Sequence, residues 1–505
     1  MNLNLIIILI LNEFLKSEII LPIFTLPLDN YKNDNSNKTE QELMMNSFYQ
    51  SQFYTIIKIG QPAQTIPLLI KIEPSLLIIT SINSNSNSSN QQSLYTFNFS
   101  ESFLEKNNFS FYDEKKSNSF ILNKCDYGRF YEAEEICDCN ETFLFSKNGD
   151  IEQSSKIEKF YFNLARNVED NITGEIGLNL YDKNKRSFNS FLNELKRNKL
   201  INKYNWYFDK DSKDNKIKLI IGALPHEIES LKYSENDLMY SKVLTNNYVI
   251  YWKIRFTKIF ALNSDLFASL KYFDNSEVEF NFDSDVIIGP DEFSEYLYKI
   301  LDDYIFNHKC FINKIIDNKN KSNKFKFIYC KNDKFIYNDL YDSLLPTIFL
   351  SSNEFNYTFE ISSEDLLFIK DDYIYLRILF SEKENKVWKL GKLFSMKYKF
   401  IFNPETKQVG FYIKESSPST KNETIEKMNK ILNKEKKGKN ANLAYKIVFI
   451  IISFIFLCFL VIKYYKIICN LTRQKRKNEI ILINDYKYYS KNNFKEMESF
   501  NNNAE

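Results

Sequence analysis

Residues 447–462, IVFIIISFIFLCFLVI, form an unbroken apolar run late in a chain of 505 residues, and that run decides how the rest can be partitioned. With 443–446 before it and 463–468 after it, the run reaches the ~20 residues that cross a bilayer. Tyr445, Tyr464 and Tyr465 stand where interface aromatics belong. A buried core helix has the same hydropathy, but a polar stretch over 416–445 separates the run from everything before it. The pattern predicts a single transmembrane helix over 446–466, a stalk over 416–445 and a tail over 467–505.

Orientation is not set by charge, because Lys434, Lys436, Lys437 and Lys439 precede the run while Lys463, Lys466, Arg473, Lys475, Arg476 and Lys477 follow it. The other terminus supplies the direction. Residues 5–11, LIIILIL, followed by small residues near Ser17, have the form of a signal-peptide apolar region, although no positive charge precedes them. A buried strand or an uncleaved anchor fits the same residues. A signal peptide over 1–17 predicts a single-pass type I protein in the secretory pathway or at the cell surface. Residues 18–49 are expected to be a polar N-terminal segment, with a short strand within 18–28 and a disordered stretch from 29 to 43.

What remains, 50–415, exceeds the ~250–300 residues that one hydrophobic core usually holds, so two lobes are expected. Hydrophobic residues at 44% and charged residues at 26% fit a folded chain. The segment 54–81, YTIIKIGQPAQTIPLLIKIEPSLLIITS, reads as a strand, a turn built on Gly60, Pro62 and Gln64, and a second apolar strand. It resembles the first active-site hairpin of the pepsin-like aspartic proteases, in which the second strand leads into Asp-Thr-Gly. The spacing puts Lys71, Ile72 and Glu73 at those three positions. Lysine offers only N–H donors when charged, so it cannot share a proton with a second carboxylate as the family's paired acids do. Glu73 lies two residues on, and Pro74 restricts its backbone.

The second motif is altered in the same way. The segment 278–301, VEFNFDSDVIIGPDEFSEYLYKIL, resembles the family's second Asp-Ser/Thr-Gly loop with its turn and helix. Counting back from Gly289 and Pro290 without gaps places Asn281 at the catalytic aspartate. A short deletion would instead make Asp283-Ser284-Asp285 the counterpart and keep one acid, Asp283. Both registers stay open at the level of sequence.

The likeness runs from about residue 53 to 413. TGEIGLNL (173–180) resembles the strand that supports the first loop, through Gly177. FNSFLNELKRNKLINKYNWYF (188–208) reads as a helix leading into a strand, and LIIGALPHEIESLKY (219–233) as a strand and loop. YWKIRFTKIF (251–260) alternates like a half-buried strand, and LLPTIFL (344–350) resembles a late strand of the family. VWKLGKLFSMKYKFIFNPETKQVGFY (387–412) follows the closing pattern at Trp388, Leu390, Gly391, Phe394, Tyr398, Phe402, Gly410 and Phe411, with Lys392 and Asn403 replacing two acids. Ten glycines in 505 residues is far below the usual ~7%, and the shortage falls on both loops and on the flap. The flap candidate is 145–157 with Gly149, and it lacks the family's tyrosine. The resemblance implies an all-β, bilobal pepsin-like fold, followed by the single transmembrane helix.

Cys310 and Cys330 flank a polar loop and are expected to pair in a secretory lumen. Cys125, Cys137 and Cys139 form an odd set in which one pair is plausible and the partners are open. Before the apolar run, Asn-x-Ser/Thr tripeptides stand at Asn37, Asn87, Asn98, Asn108, Asn140, Asn171, Asn320, Asn356 and Asn422, a number that chance supplies readily in so asparagine-rich a chain. With His226 and His308 as the only histidines, no metal site of Cys/His type and no Ser-His or Cys-His site is indicated. No cofactor motif or nucleic-acid patch stands out; the expected partners are the membrane and a peptide or protein in the cleft. Three functions follow: a pepsin-like homologue without activity, an active aspartic endopeptidase using Asp283 and another acid such as Glu73, and a surface adhesion or structural glycoprotein.

Overall fold

The computed structural model describes residues 18–25, 39–49, 51–72, 77–81, 101–130, 133–147, 150–168, 173–179, 190–211, 214, 216–246, 249–250, 252–262, 271–316, 324–382 and 387–413, and, near the C-terminus, 457–458, 460–466, 468–476, 478 and 487. Two compact units divide the chain, Met1–Lys414 and Glu415–Glu505. The first is mostly β and has two lobes.

The first lobe is a closed ring of six strands. Phe53–Ile59 pairs with Gln64–Lys71, which pairs with Gly174–Gly177, then Leu77–Thr80, Asp150–Val168 and Ala133–Lys147. Lys58 opposite Leu144 and Ile59 opposite Phe143 close the ring. The turn from Phe53–Ile59 to Gln64–Lys71 passes through Gly60 at φ +94°, a conformation that a side chain strains. Phe143, Phe145, Phe160 and Phe162 fill the interior, all 0–1% exposed.

The second lobe is a ten-stranded sheet in which Lys271–Asn281, Trp388–Gly391, Ile287–Pro290 and Tyr373–Ser381 lie side by side at the centre. The two halves share a base. From the ring, the first sheet continues through Ile19–Thr25, Ile217–Ile221, Trp206–Lys210, Ile401–Asn403, Gln408–Tyr412 and Leu238–Lys242. Strands from the last part of the unit thus return to the sheet begun by the first. Trp206 seals this junction, stacked on Phe402 at 4.4 Å and edge-on to Trp252 and Phe282.

The N-terminal segment forms the short strand expected within 18–28, and the stretch expected to be disordered over 29–43 runs at its end into a helix. Ile19–Thr25 is a central strand, paired with Ile217–Ile221 on one side and reaching Phe53 and Tyr54 on the other. The folded unit therefore takes in residues well before 50. Glu40–Tyr49 is an α-helix. Thr39 and Glu42 start it with reciprocal bonds, each backbone N–H donating to the other's side chain. Met45 and Phe48 bury themselves against Val286, Ile288, Phe325, Phe327 and Leu379 of the second lobe. Composition marked this stretch as polar because its helix buries only one stripe. Residues 29–38 lie outside the described residues.

In the C-terminal unit the described part of the expected span, Leu457, Cys458 and 460–466, is helical. Among the described residues, no helix is long and apolar enough to cross a membrane. The rest of the span, the signal peptide over 1–17 and the stalk lie outside the described residues.

Candidate functional site

Each lobe presents one loop built by the same strand arrangement. In the first, Gln64–Lys71 runs parallel to Gly174–Gly177, with Lys71 opposite Gly177; Leu77–Thr80 returns along the other side, with Ile78 opposite Glu175. In the second, Lys271–Asn281 runs parallel to Trp388–Gly391, with Asn281 opposite Gly391; Ile288 returns opposite Lys389. The loop spans from 71 to 78 and from 281 to 288 are equal. Lys71 and Asn281 therefore occupy equivalent positions, as do Glu73 and Asp283, an arrangement that matches the count without gaps. Glu73 itself lies outside the described residues.

The loops meet through Lys71 and Asp283. Lys71 Nζ donates to Asp283 Oδ1 and Oδ2 at 3.1 Å each, with the lysine side chain 9% exposed and the aspartate 37%. Asn281 shapes the approach: its side-chain oxygen accepts from the Asp283 backbone N–H at 3.1 Å, a local turn of the kind short polar residues favour. Phe282 between them is 2% exposed and packs against Trp206, Phe208 and Phe402. That ring anchors the loop to the base and leaves Asp283 turned toward the first lobe.

Behind this pair lies a second one. Lys392, the residue after Gly391, is 1% exposed, and its Nζ sits 3.3 Å from Asp285 Oδ1. It also donates to the Ser51 carbonyl at 2.8 Å and to the Ser51 hydroxyl, and lies 4.3 Å from the centre of the Phe53 ring. Burial pushes the Lys392 amine below its ordinary value; Asp285 and Asp283 oppose that shift, while Lys71 adds to it. Asp285 is fixed from the backbone as well, its N–H donating to the Phe48 carbonyl at 2.9 Å. Gly391 has to be glycine: a Cβ there would stand 2.7 Å from the Val286 oxygen and 2.8 Å from the Ser284 oxygen. Arg377, with its pKa lowered by burial, lies against the rings of Phe368 and Phe48.

Lys71, Asn281, Asp283 and Gly391 thus come together, with Gly177 on the strand beside Lys71. The sequence named Lys392 as the replacement of an acid and Asp285 as part of the alternative loop register, but it gave neither their pairing nor the part of Ser51. The available signal was Lys392 set between Leu390-Gly391 and Leu393-Phe394, where a charge can be buried only against a partner.

Chemically, both carboxylates of the 281–285 loop are ion-paired to lysines. Among the described residues, such a site holds opposite charges together and offers no second carboxylate facing Asp283 to hold a water between them.

The flap candidate 145–157 falls on the hairpin that Ala133–Lys147 forms with Asp150–Val168; Gly149 lies outside the described residues. Cys310 and Cys330 form the expected disulfide, and Cys125 pairs with Cys137, leaving Cys139 a buried thiol. Cys125, Glu135 and Cys137 are the one group of three metal-ligand side chains within reach of each other among the described residues, and the disulfide uses both sulfurs. No family model matches the chain, and no curated protein matches it.

Proposed function

We propose that this chain is a membrane-anchored, pepsin-like protein without protease activity, whose interlobe cleft receives a peptide or a protein partner. The observation that carries the reading is the lysine at the first loop's key position, locked onto Asp283 from the opposite lobe. Peptide hydrolysis by this kind of fold needs one acid to take a proton from water and another to give one to the carbonyl oxygen. A charged lysine cannot take the proton, and the Lys71 amine already donates to both Asp283 oxygens. Two equivalent loops on two β lobes with a shared base support the pepsin-like assignment.

A broad peptide library, incubated with the ectodomain across pH ~3–7, the window in which carboxylates titrate, tests the reading. No turnover is expected. Turnover that a pepstatin-type inhibitor blocks and Asp283→Ala abolishes would establish an active aspartic endopeptidase instead. Peptides captured by the inactive ectodomain separate a binding cleft from a protein that uses only its outer surface for adhesion.

The membrane anchor and type I orientation belong to the same proposal, on the strength of the apolar run 447–462 and the N-terminal run 5–11. Protease treatment of sealed vesicles is expected to spare the large fragment and clip the tail after Lys466. The opposite result would reverse the orientation.

A further inference from the structure

Four Asn-x-Ser/Thr tripeptides fall on described residues, and the structure treats them differently. Asn108-Phe109-Ser110 follows the helix Glu101–Lys106; its asparagine is exposed, in the left-handed region at φ 54°, with its N–H bonded to the Glu105 carbonyl at 3.1 Å. Asn356-Tyr357-Thr358 lies in the turn joining Thr347–Ser352 to Tyr357–Ile361; its asparagine is also exposed, at φ 47°, with its N–H bonded to the Asn353 carbonyl. Asparagine tolerates this backbone better than most residues, and both asparagines are exposed and stand outside the strands.

Asn140-Glu141-Thr142 is the opposite case. Asn140 lies within Ala133–Lys147, with Ile121 opposite it on one neighbour and Tyr161 on the other, and is 5% exposed. Its Nδ2 donates to Asn123 Oδ1 at 3.4 Å. Glu141 and Thr142 are buried too, at 0% and 2%, with Glu141 accepting from Tyr112, Ser119 and the Thr142 N–H. The fourth tripeptide, Asn470-Leu471-Thr472, is exposed on a helix of the C-terminal unit, after the apolar run.

We propose that Asn108 and Asn356 are N-glycosylation sites of the folded protein, and that Asn140 and Asn470 are not. The inference rests on the secretory, type I reading above. The modification joins Nδ2 to the anomeric carbon of an oligosaccharide carried on a lipid pyrophosphate. The lipid pyrophosphate is released and one amide proton passes to solvent. A bulky sugar on Asn140 would prevent Ala133–Lys147 from pairing on both edges, so chains modified there do not reach the folded fraction. Asn470 is exposed enough to accept sugar but stands on the side of the span that the transferase does not face.

The test is expression of the full chain in a eukaryotic secretory host, followed by isolation of the folded fraction. Enzymatic deglycosylation in heavy-oxygen water converts each glycosylated asparagine to a heavy aspartate that peptide mass spectrometry locates. Label at Asn108 and Asn356, with none at Asn140 or Asn470, is the expected result. Ser110→Ala and Thr358→Ala should each remove one glycan from the electrophoretic ladder while leaving the left-handed asparagine in place. Label at Asn140 in folded protein, or none at Asn108 and Asn356 while other lumenal tripeptides are labelled, overturns the site assignment alone. Label at Asn470 without label at 108 and 356 overturns the orientation. Absence of label throughout the chain overturns the secretory reading and the assignment together.

Discussion

Lys71 Nζ stands 3.1 Å from both carboxylate oxygens of Asp283, across the line where the two lobes meet and 212 residues away in the chain. Equivalent loops put Lys71 and Asn281 in matching places, yet the lysine bypasses Asn281 and takes the acid two residues beyond. The contact ties the two lobes together through their equivalent loops.

That pair can be weighed by breaking it. Exposed ion pairs contribute ~0–1 kcal/mol, whereas removing one partner of a buried pair costs ~3–5 kcal/mol. Lys71 is buried and Asp283 is partly wet, so Lys71→Met is expected to destabilise the ectodomain by about 1–2 kcal/mol in denaturant titrations. Lys71→Asp and Asp283→Lys should each cost more, and the double reversal should recover much of the loss. A double variant no better than the sum of its parts would show that the two side chains are not coupled.

Lys392 predicts a pH dependence. Its folded pKa lies below the ordinary 10.5, so between those two values the unfolded chain binds more protons and stability rises with pH. The cost of burying the charged amine is fully present below the folded pKa and is relieved as pH climbs toward 10.5. The unfolding free energy of wild type relative to Lys392→Met should therefore increase through the alkaline range. A difference that stays flat or falls with pH would contradict the burial described here.

Phe48 tests the N-terminal helix. It is 5% exposed and meets the Phe368 ring edge-on at 4.6 Å. Phe48→Ala should cost about 3 kcal/mol, as Phe truncations in cores do, and should speed proteolysis within 40–49. A variant as stable as wild type would return this segment to the polar arm that composition suggests.

The Cys310–Cys330 bridge closes a loop with a sequence separation of 20. Loop-closure entropy for a span of this size gives about 3 kcal/mol. The double Ser variant should lower the melting midpoint accordingly, and reduction of wild type should approach the same midpoint. An unchanged midpoint in both would show that Cys310–Ile316 and Lys324–Lys331 hold their register without it.

Local sequence was enough for whatever depends on neighbours in the chain. The strand–turn–strand of 53–71 follows from apolar runs broken at Gly60, whose positive φ a side chain would strain. The Cys310–Cys330 pairing follows from two cysteines bracketing a polar loop. Even the replacement of the expected acid by Lys71 is a matter of counting from that turn. The helix Glu40–Tyr49 was within reach through the Thr39–Glu42 signature, but its polar composition hid the single stripe formed by Met45 and Phe48. Tertiary structure alone decided the charge pairing. Nothing near Lys71 in sequence says that it meets Asp283, and nothing near Lys392 says that Asp285 and Ser51 receive it. A charge enters a protein interior only when folding delivers a partner to it; here Lys71 meets an acid from the other lobe, 212 residues away, and Lys392 meets an acid from a neighbouring loop of its own lobe together with Ser51.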